Sequence, residues 1–277
     1  MSETVAAETG NLDVAGGRLY YEVAGAGHPL VLLHADVADC RMWDEQFAAF
    51  ARQYRVVRLD KRGFGKTVSD TTVFSHRQDI VDLLAHLGIA RTAILGLSNG
   101  GALALDFTLE HPELVDALIV VSGGIGGYEE PATDAEMQIF GEYEELEKRH
   151  DIPGMIERSV HIWGDGPDQP VGRASVDTRE RLRAMIADNY RLHPEELQPE
   201  RMIPPAIGRL GDVHTPTLVI LGGLDFTGTI DSMNVLAERV TGAEKVVFPD
   251  TAHMVNMEQP ERFDAVVLEF LAHALKA

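Results

Sequence analysis

Residues 96–101 read GLSNGG and form a G-x-S-x-G pattern centred on Ser98. An apolar run precedes the pattern and a helix-forming run follows it. A sharp turn between a strand and a helix would place Ser98 at its apex, with its hydroxyl exposed. Glycines at positions 96 and 100 would remove side chains where the strand and the helix pass close together. The pattern predicts a nucleophilic serine, and the alternative is a structural serine in an ordinary loop.

A serine hydroxyl is a poor nucleophile unless a neighbouring base takes its proton, and histidine is the usual base because its pKa lies near neutrality. An acid normally orients that histidine. Asp225 follows the next-to-last predicted strand, and His253 follows the last one. The order serine, acid, histidine is expected for a nucleophile elbow on a parallel sheet. We therefore predict a catalytic triad of Ser98, Asp225 and His253.

Other residues compete for two of these roles. Asp231 could instead cap the helix that follows Asp225, and Asp250 is close to His253 in sequence, so both are alternative acids. Four other histidines compete with His253 because each follows or lies near a predicted element: His34, His111, His161 and His193. Strand-end, helix-stop or packing roles are favoured for these four.

Short apolar runs alternate with amphipathic segments over most of the chain. Strands are predicted at residues 11–14, 18–23, 30–34, 54–60, 92–95, 114–122, 217–221 and 245–248. Helices are predicted at residues 43–52, 76–87, 102–110, 230–240 and 260–275. This alternation predicts an α/β fold with a mostly parallel central sheet flanked by helices on both sides.

The alternation stops between residues 126 and 212, where helix-like pieces, prolines and dense charges contain no convincing buried strand. That stretch is much longer than a crossover connection needs. We expect a helical cap at 126–212, inserted into a core domain formed by 11–125 and 213–277, with a flexible tail at 1–10.

Composition excludes several classes of partner. The chain has 277 residues, 45% of them apolar, and a formal net charge of -20, so we expect a globular protein that binds neither nucleic acid nor membranes. The first ten residues lack the features of a signal peptide, and no apolar run is long enough to span a bilayer. Cys40 is the single cysteine, so no internal disulfide can form, and we expect a cytoplasmic protein.

Five motifs in the expected order identify a family. They are Leu32-Leu33-His34-Ala35 followed by Trp43, residues 60–65 (DKRGFG), the Ser98 elbow, Gly223-Leu224-Asp225 and Ala252-His253. From about Leu12 to Ala272 the sequence resembles the α/β-hydrolase superfamily, in the branch that carries a helical cap. Members with this arrangement include carboxylesterases, lactonases resembling 3-oxoadipate enol-lactonase, and cofactor-free haloperoxidase-like enzymes.

The resemblance also implies an oxyanion hole. A tetrahedral oxyanion needs two donors, one of which is the N–H of the residue after the nucleophile, here Asn99. By resemblance to the family's His-Gly-x pattern, the second donor is the backbone N–H of Asp36. Ala35 stands where the family usually has glycine, and a carboxylate at Asp36 pointing inward would disfavour an oxyanion. Either that side chain turns away and is hydrogen-bonded elsewhere, or it selects against anionic substrates.

The remaining motifs are assigned to the pocket or to the scaffold. We expect His34, Ala35, His161 and Trp163 to line the substrate pocket, with a packed role as the alternative. Asp60 and Arg62 are expected to fix loops near the site. No complete P-loop, no G-x-G-x-x-G at the start of a helix and no paired-cysteine or H-E-x-x-H metal motif is found, so no cofactor is expected.

These inferences predict a serine hydrolase that cleaves a small carboxylic ester or lactone as a monomer or homodimer. A haloperoxidase or perhydrolase using the same triad stays open, as does a non-catalytic small-molecule binder. Ser98 argues against dehalogenases and epoxide hydrolases of this fold, which use an aspartate at the elbow. Residues 35–39 (ADVAD) do not match the Gly-rich loop usual in carbon–carbon bond hydrolases.

Overall fold

A computed structural model describes residues 6–194 and 197–276. Its strands are β1 (Ala7–Val14), β2 (Gly17–Ala24), β3 (Pro29–Leu33), β4 (Arg55–Leu59), β5 (Val68–Ser69), β6 (Val73–Phe74), β7 (Thr92–Leu97), β8 (Val115–Val121), β9 (Gln198–Pro199), β10 (Thr217–Gly222) and β11 (Glu244–Phe248). Its helices are α1 (Asp44–Phe50), α2 (His76–His86), α3 (Asn99–Glu110), α4 (Asp134–Lys148), α5 (Ile152–Ser159), α6 (Val176–Leu192), α7 (Thr227–Arg239), α8 (Val255–Glu258) and α9 (Pro260–Ala274).

The main sheet has the strand order β1-β2-β4-β3-β7-β8-β10-β11, and the short strand β5 pairs with β2. Strands β1, β2 and β5 pair antiparallel, while β4, β3, β7, β8, β10 and β11 are mutually parallel. The prediction of a mostly parallel sheet is confirmed. Because the carboxyl ends of parallel strands meet at one edge, the loops after β3, β4, β7, β10 and β11 lie at the same side of the molecule.

Each central strand is buried on both faces. In β3, Leu30 and Leu32 belong to the core that also contains the buried side chains of α1 and α9, whereas Val31 and Leu33 belong to the core that contains those of α2, α3 and α7. Successive side chains of a strand point to opposite faces, so continuous apolar runs form strands of a sheet that is covered by helices on both faces. This explains why these strands lack the polar alternation of surface strands.

The main helices of the predicted helical region between β8 and β10 are α4, α5, a π-helical segment (Val160–Asp165) and α6, and the short strand β9 follows them and pairs with β6. Thr133 and Glu136 form a capping box that fixes the start of α4, since each side chain accepts a hydrogen bond from the other residue's backbone N–H. Val160 and the buried face of α6 pack into the core on the α1 and α9 side of the sheet. Within the described residues no helix is both long enough and apolar enough to cross a membrane.

The N-terminus differs from the prediction. Strand β1 begins at Ala7, four residues before the predicted strand, so residues 7–10 belong to the sheet and the assignment of 1–10 to a flexible tail is wrong for them. Residues 1–5 lie outside the described residues. The strand extends because β2 continues to Ala24 and offers a complete antiparallel partner, in the register Ala7↔Ala24 to Val14↔Gly17. The hydrophobic pattern of the sequence did not indicate this longer strand, because the side chains of β1 are largely exposed and need not be apolar.

The turn from β7 into α3 depends on two glycines. A Cβ on Gly96 would lie 2.0 Å from the Gly100 carbonyl oxygen, and a Cβ on Gly100 would lie 2.4 Å from the Leu33 carbonyl oxygen and 2.6 Å from that of His34. These are backbone atoms that cannot move away as a flexible side chain could. The helix start therefore reaches this position against β7 and the end of β3 only because both residues lack side chains.

We predict that Gly100→Ala lowers the free energy of unfolding by about 3 kcal/mol or more, because the added methyl group meets two backbone carbonyls. Gly141→Ala is the matched control, since Gly141 is an exposed residue inside α4 and, apart from the adjacent backbone of its own helix, no described atom lies within 4 Å of the position that its Cβ would take. Alanine there should stabilise by roughly 0.5–1 kcal/mol. Urea unfolding of both variants measures this, and a neutral Gly100→Ala would contradict the packing argument.

Candidate active site

Ser98 occupies a strained backbone conformation between β7 and α3. Its φ of 58° and ψ of -124° lie in a region that residues other than glycine rarely adopt. The Ser98 N–H donates to the Val121 carbonyl at the end of β8 (2.8 Å), and the Ser98 carbonyl accepts from Gly101 (2.9 Å) and Ala102 (3.0 Å). Such strain costs on the order of 1–3 kcal/mol and persists only where neighbouring contacts enforce it.

The side chain of Ser98 is available for chemistry. Its hydroxyl makes no capping hydrogen bond to α3 within the described residues, although serine at this position often caps a helix. The residue is partly exposed. Asn99 is the first residue of α3, where helix geometry leaves the backbone N–H without an intrahelical partner. A serine hydroxyl and a backbone N–H without an intrahelical partner are therefore adjacent at the start of this helix.

Asp225 and His253 form a buried pair. The Nδ1 atom of His253 lies 2.8 Å from Oδ2 of Asp225, and the two side chains are 3% and 0% exposed. The other carboxylate oxygen of Asp225 accepts from the Phe226 N–H (2.8 Å), which fixes the carboxylate's orientation. A carboxylate can only accept, so Nδ1 carries a proton, and in the neutral tautomer that this contact selects the lone pair is on Nε2. This is the protonation state that a general base requires.

The rival residues make other contacts. Asp231 accepts a hydrogen bond from the Tyr128 hydroxyl, and the carbonyl oxygen of Asp250 accepts from Arg173. The His111 ring packs 5.2 Å from that of Phe107, and His193 Nε2 lies 3.0 Å from the Gly65 carbonyl oxygen. Of the three acids considered from the sequence, Asp225 is the one that contacts His253.

Trp163 covers the histidine from the helical region. Its ring centroid lies 4.6 Å from that of His253 and 5.2 Å from that of Phe226, which follows Asp225. The π-helical segment that carries Trp163 therefore packs directly over the Asp225–His253 pair. Of the four pocket residues proposed from the sequence, Trp163 is the one placed against His253.

The Asp36 side chain links the loop after β3 to the residue that follows Ser98. One carboxylate oxygen accepts from the Lys61 ammonium and the other from the side-chain amide of Asn99. Desolvation pushes the pKa of Asp36 up, but the Lys61 charge and the two hydrogen bonds outweigh it, so that its pKa is lowered. Asp36 is therefore an ionised carboxylate at neutral pH. Its side chain is nevertheless 42% exposed, so a ligand can reach it.

His34 is held inside the same loop. It is fully buried, its Nδ1 donates to the Ala35 carbonyl oxygen (2.7 Å), and its Nε2 accepts from the Lys61 N–H (2.9 Å). Burial and then the Lys61 charge lower the pKa of His34 to about 3, so the ring is neutral. With both ring nitrogens bonded to backbone, His34 fixes the distance between the loops after β3 and β4 and offers no free nitrogen to a ligand.

A cavity of about 240 Å3 lies between these loops and the helical region. Its walls come from the loops after β3 and β4 and from the helices: Asp36, Val37, Gly63, Phe64, Tyr143, Ser159, Ile186, Asn189, Tyr190 and His193. The other pocket residues proposed from the sequence are placed differently. Ala35 is fully buried, and the His161 ring nitrogens contact Arg158 (3.2 Å) and the Gln169 carbonyl oxygen (2.8 Å).

Most polar groups around this cavity are already paired with protein atoms. The hydroxyls of Tyr143 and Tyr190 lie 2.6 Å apart, and the Asn189 side chain accepts from Gly65 (3.0 Å) and donates to Ala38 (3.1 Å). Among the described residues that line it, Asp36 is the one acidic residue, and none is lysine or arginine. The cavity therefore presents apolar and neutral surfaces and one paired carboxylate.

The neighbouring scaffold residues behave as predicted. Asp60 accepts from the backbone N–H groups of Cys40 (2.8 Å) and Lys66 (2.7 Å), and Arg62 binds both oxygens of the Asp79 carboxylate. The prediction that Asp60 and Arg62 fix loops is confirmed. Burial raises the pKa of the Cys40 thiol, as does the nearby Asp60 carboxylate, so Cys40 is a packed thiol at neutral pH.

One cluster of acidic and thiol groups has the spacing of a metal site. Among the described residues, Asp39, Cys40 and Asp60 place their ligand atoms within 4.8 Å of one another. The Asp39 carboxylate is bound by the Arg41 guanidinium, and Asp60 uses both of its oxygens for backbone N–H groups. A thiol with a raised pKa is also a poor ligand, since metals bind the thiolate. The donor set does not fit a metal ion.

The sequence did not single out Lys61 as the partner of Asp36. Both residues follow parallel strands that are neighbours in the sheet, with Leu32 of β3 in register with Arg58 of β4. Three or four residues past that register, the two side chains meet at the sheet edge. The signal is therefore present in the sequence, but it can be used only once β3 and β4 are known to be adjacent.

The parallel sheet, the strained serine between β7 and α3, and the aspartate–histidine pair after the last two strands together define a class of protein. The chain belongs to the α/β-hydrolase fold family, whose sequence profile matches residues 28–260. The recognition of this family from its motifs is confirmed.

Relatives of known name cover nearly the whole chain. The 2-hydroxy-6-oxononadienedioate/2-hydroxy-6-oxononatrienedioate hydrolase of Burkholderia vietnamiensis is 30% identical over 92% of this chain and 91% of its own length. An esterase from Thermogutta terrifontis has a similar structure, with a TM-score of 0.77, 24% identity and coverage of 96% and 99% of the two chains. The enol-lactonase of Burkholderia xenovorans has a TM-score of 0.74, 21% identity and coverage of 95% and 100%.

We predict that His34 makes stability depend on pH. The folded state keeps His34 neutral down to a pKa of about 3, whereas the unfolded chain binds a proton near its ordinary pKa of 6.5. The unfolded state therefore binds more protons between these values, so this contribution is complete above pH 6.5 and is lost as the pH falls towards 3. The slope is at most about 1.4 kcal/mol per pH unit.

His34→Gln keeps an acceptor for the Lys61 N–H and removes the titration. Urea unfolding at about pH 7.5 and about pH 5.5 should therefore show a smaller loss of stability on acidification for the variant than for the natural protein. The comparison isolates His34, because every other titrating group is common to the two proteins. Equal losses in both would contradict the buried, neutral assignment.

Proposed function

We propose that the protein hydrolyses small, uncharged carboxylic esters or lactones through an acyl-enzyme on Ser98. The observation that carries this proposal is the buried Asp225–His253 pair, whose free Nε2 lies on the same sheet edge as a strained, partly exposed serine. Backbone strain at a polar residue between a strand and a helix is characteristic of functional sites. The family is consistent with such chemistry.

The proposed reaction has two stages. The Ser98 hydroxyl attacks the carbonyl carbon while His253 Nε2 takes its proton, and His253 then gives that proton to the departing alcohol oxygen. Water, deprotonated by the same nitrogen, then attacks the acyl carbon, and His253 returns that proton to the Ser98 oxygen as its bond to the acyl group breaks and the acid leaves. Asp225 stabilises the imidazolium that forms twice in this cycle. Burial of the pair strengthens that effect, since a charge interaction is larger away from water.

The oxyanion is assigned to the backbone N–H groups of Asp36 and Asn99. The Asp36 carboxylate supports this arrangement, because its hydrogen bond to the Asn99 side chain joins the two donor-bearing segments. The Lys61 ammonium compensates the negative charge that would otherwise oppose the oxyanion. Preorganised donors of this kind contribute several kcal/mol to transition-state stabilisation, with about 3 kcal/mol typical for one donor.

The cavity supports a small, neutral substrate group. Its volume of about 240 Å3 is below the roughly 300–1,000 Å3 of sites for drug-sized ligands. Its apolar walls and paired polar groups suit an uncharged acyl or alcohol group. A substrate carboxylate placed there would face Asp36 with the Lys61 charge already engaged.

A second candidate is hydrolysis of a dicarboxylate. It is favoured by the 30% identical relative, whose named substrates are dioates. That identity is low enough for the pocket to have diverged, and two features oppose a shared substrate. The described residues of the cavity lining include no lysine or arginine, and they include the acidic Asp36. The choice between the candidates thus depends on substrate charge, which can be measured directly.

We predict that Ser98→Ala lowers kcat/KM for para-nitrophenyl butyrate by about four orders of magnitude or more, because the acyl-enzyme can no longer form. A fluorophosphonate probe should label the natural protein and leave this variant unlabelled. Ser69→Ala is the control, because Ser69 lies in the short strand β5 and its hydroxyl donates to the Thr71 carbonyl. No labelling of the folded natural protein would instead favour a non-catalytic binder.

We predict that Asp36 sets the charge preference of the site. Asp36→Asn keeps the backbone N–H and an acceptor for Asn99 but frees the Lys61 ammonium for a substrate carboxylate. The ratio of kcat/KM for para-nitrophenyl hemisuccinate to that for the butyrate should rise by roughly tenfold, equivalent to about 1.4 kcal/mol.

The matched control for this substitution is Asp82→Asn, which changes the net charge equally at a residue of α2 that bonds Gln78. Its substrate ratio should equal that of the natural protein. An unchanged ratio in Asp36→Asn would reject the charge-selection role. A natural protein that already prefers the hemisuccinate would favour the dicarboxylate candidate.

A further inference from the structure

Arg173 joins the helical region to the loop that carries His253. It lies between the π-helical segment and α6, and its side chain is only 17% exposed. The guanidinium donates to the carbonyl oxygens of Gly164 (3.0 Å) and Asp165 on one side and of Asp250 (3.0 Å) on the other. It also forms a 2.6 Å ion pair with Glu258. Four groups from two separate parts of the chain thus meet at one side chain.

Glu258 connects Arg173 to the backbone next to His253. Its Oε2 binds Arg173, while its Oε1 accepts from the backbone N–H of Ala252 (2.7 Å), the residue before His253. The Glu258 side chain is 7% exposed. Burial raises its pKa, and the Ala252 N–H and the Arg173 charge offset only part of this increase. Removing Arg173 would leave a buried carboxylate without its cationic partner, which is unfavourable.

The other end of the contact holds Trp163. Gly164 and Asp165, whose carbonyl oxygens bind Arg173, directly follow Trp163, whose ring lies 4.6 Å from that of His253. Arg173 therefore binds the backbone on both sides of the Trp163–His253 ring contact. A side chain that fixes both partners of a contact fixes the orientation of each ring relative to the other.

Arg173 itself is held in place by Asp165, whose side chain is fully buried. The Asp165 carboxylate accepts from the backbone N–H groups of Gly172 (3.0 Å) and Ala174 (2.9 Å), the residues on either side of Arg173, and from the Arg179 guanidinium. The backbone of Arg173 is thereby preorganised before its side chain makes any contact.

We propose that Arg173 is a positioning residue, which acts through Glu258 and the Trp163 segment to hold the His253 imidazole in its productive orientation. This inference rests on the proposed function, in which His253 is the general base. Arg173 belongs to the helical region, and in this proposal it supports the general base without touching the substrate or the reacting atoms. Small displacements of a catalytic group of about 1 Å can reduce a rate about a hundredfold.

Kinetics of Arg173→Gln test the proposal. We expect kcat for para-nitrophenyl butyrate to fall by roughly ten- to a hundredfold, with KM changed by less than about twofold, because the substrate cavity does not include Arg173. Arg173→Lys keeps a charge beside Glu258 but cannot reach all three carbonyl oxygens, so its kcat should be intermediate. That variant also provides the measurement if Arg173→Gln does not fold.

Arg77→Gln is the matched control. Arg77 is a similarly buried arginine that binds the Glu110 carboxylate and the Glu200 carbonyl oxygen (3.0 Å). Glu110 ends α3, about 18 Å from Ser98 at roughly 1.5 Å per residue. We expect Arg77→Gln to lower the melting temperature without changing kcat. If Arg173→Gln lowers kcat no more than Arg77→Gln, the proposal is overturned.

A readout without substrate separates this proposal from the proposed function. Proton NMR should show the hydrogen-bonded Nδ1 proton of His253 as a downfield resonance in the natural protein and in Arg77→Gln, and broadened or lost in Arg173→Gln. A preserved resonance in folded Arg173→Gln would reject the positioning role, whatever the natural protein hydrolyses. If the resonance is lost in that variant but the natural protein cleaves no ester, the positioning role stands and the proposed substrate class fails.

Discussion

The close passage of backbone at Gly96 and Gly100 is the constraint on which the site depends. Because neither residue has a side chain, α3 can begin against the end of β3, and the chain must then turn at Ser98 through a left-handed conformation. Hydrogen bonds from β8 and from the first turn of α3 maintain that conformation. The partly exposed serine, the N–H at Asn99 that has no intrahelical partner, and the proximity of the Asp36 loop all follow from this one packing arrangement.

The two ionisable pairs of the site, Asp225–His253 and Asp36–Lys61, differ in their exposure to solvent. The Asp225–His253 pair is buried and limited to two ionisable groups, whereas Asp36 is balanced by Lys61 and remains reachable from the cavity. Burial strengthens the first interaction and partial exposure keeps the second responsive to a ligand. His34 joins the loop after β3 to the loop after β4 without adding charge, because burial keeps its ring neutral.

The sequence predicted what depends on local pattern and chain order. Apolar runs located the parallel strands, and the spacing of Ser98, Asp225 and His253 after those strands located the residues that the structure places at one edge. Contacts between segments that are distant in the chain could not be predicted from the sequence. The Asp36–Lys61 contact requires knowing that β3 and β4 are neighbours, and His161 and Arg173 depend on how the helical region packs. That packing is set by many small contacts, which no short motif encodes.

The attachment of the helical region also bears on how molecules reach the cavity. Asn189 and His193 bind the backbone of the core loops at one end of this region, and Arg173 binds the His253 loop at the other. Swinging the helices away as a hinged cover would break both attachments together and expose several buried polar groups at once. Movement of side chains at the cavity mouth breaks far fewer hydrogen bonds, so a ligand would enter between walls that stay fixed.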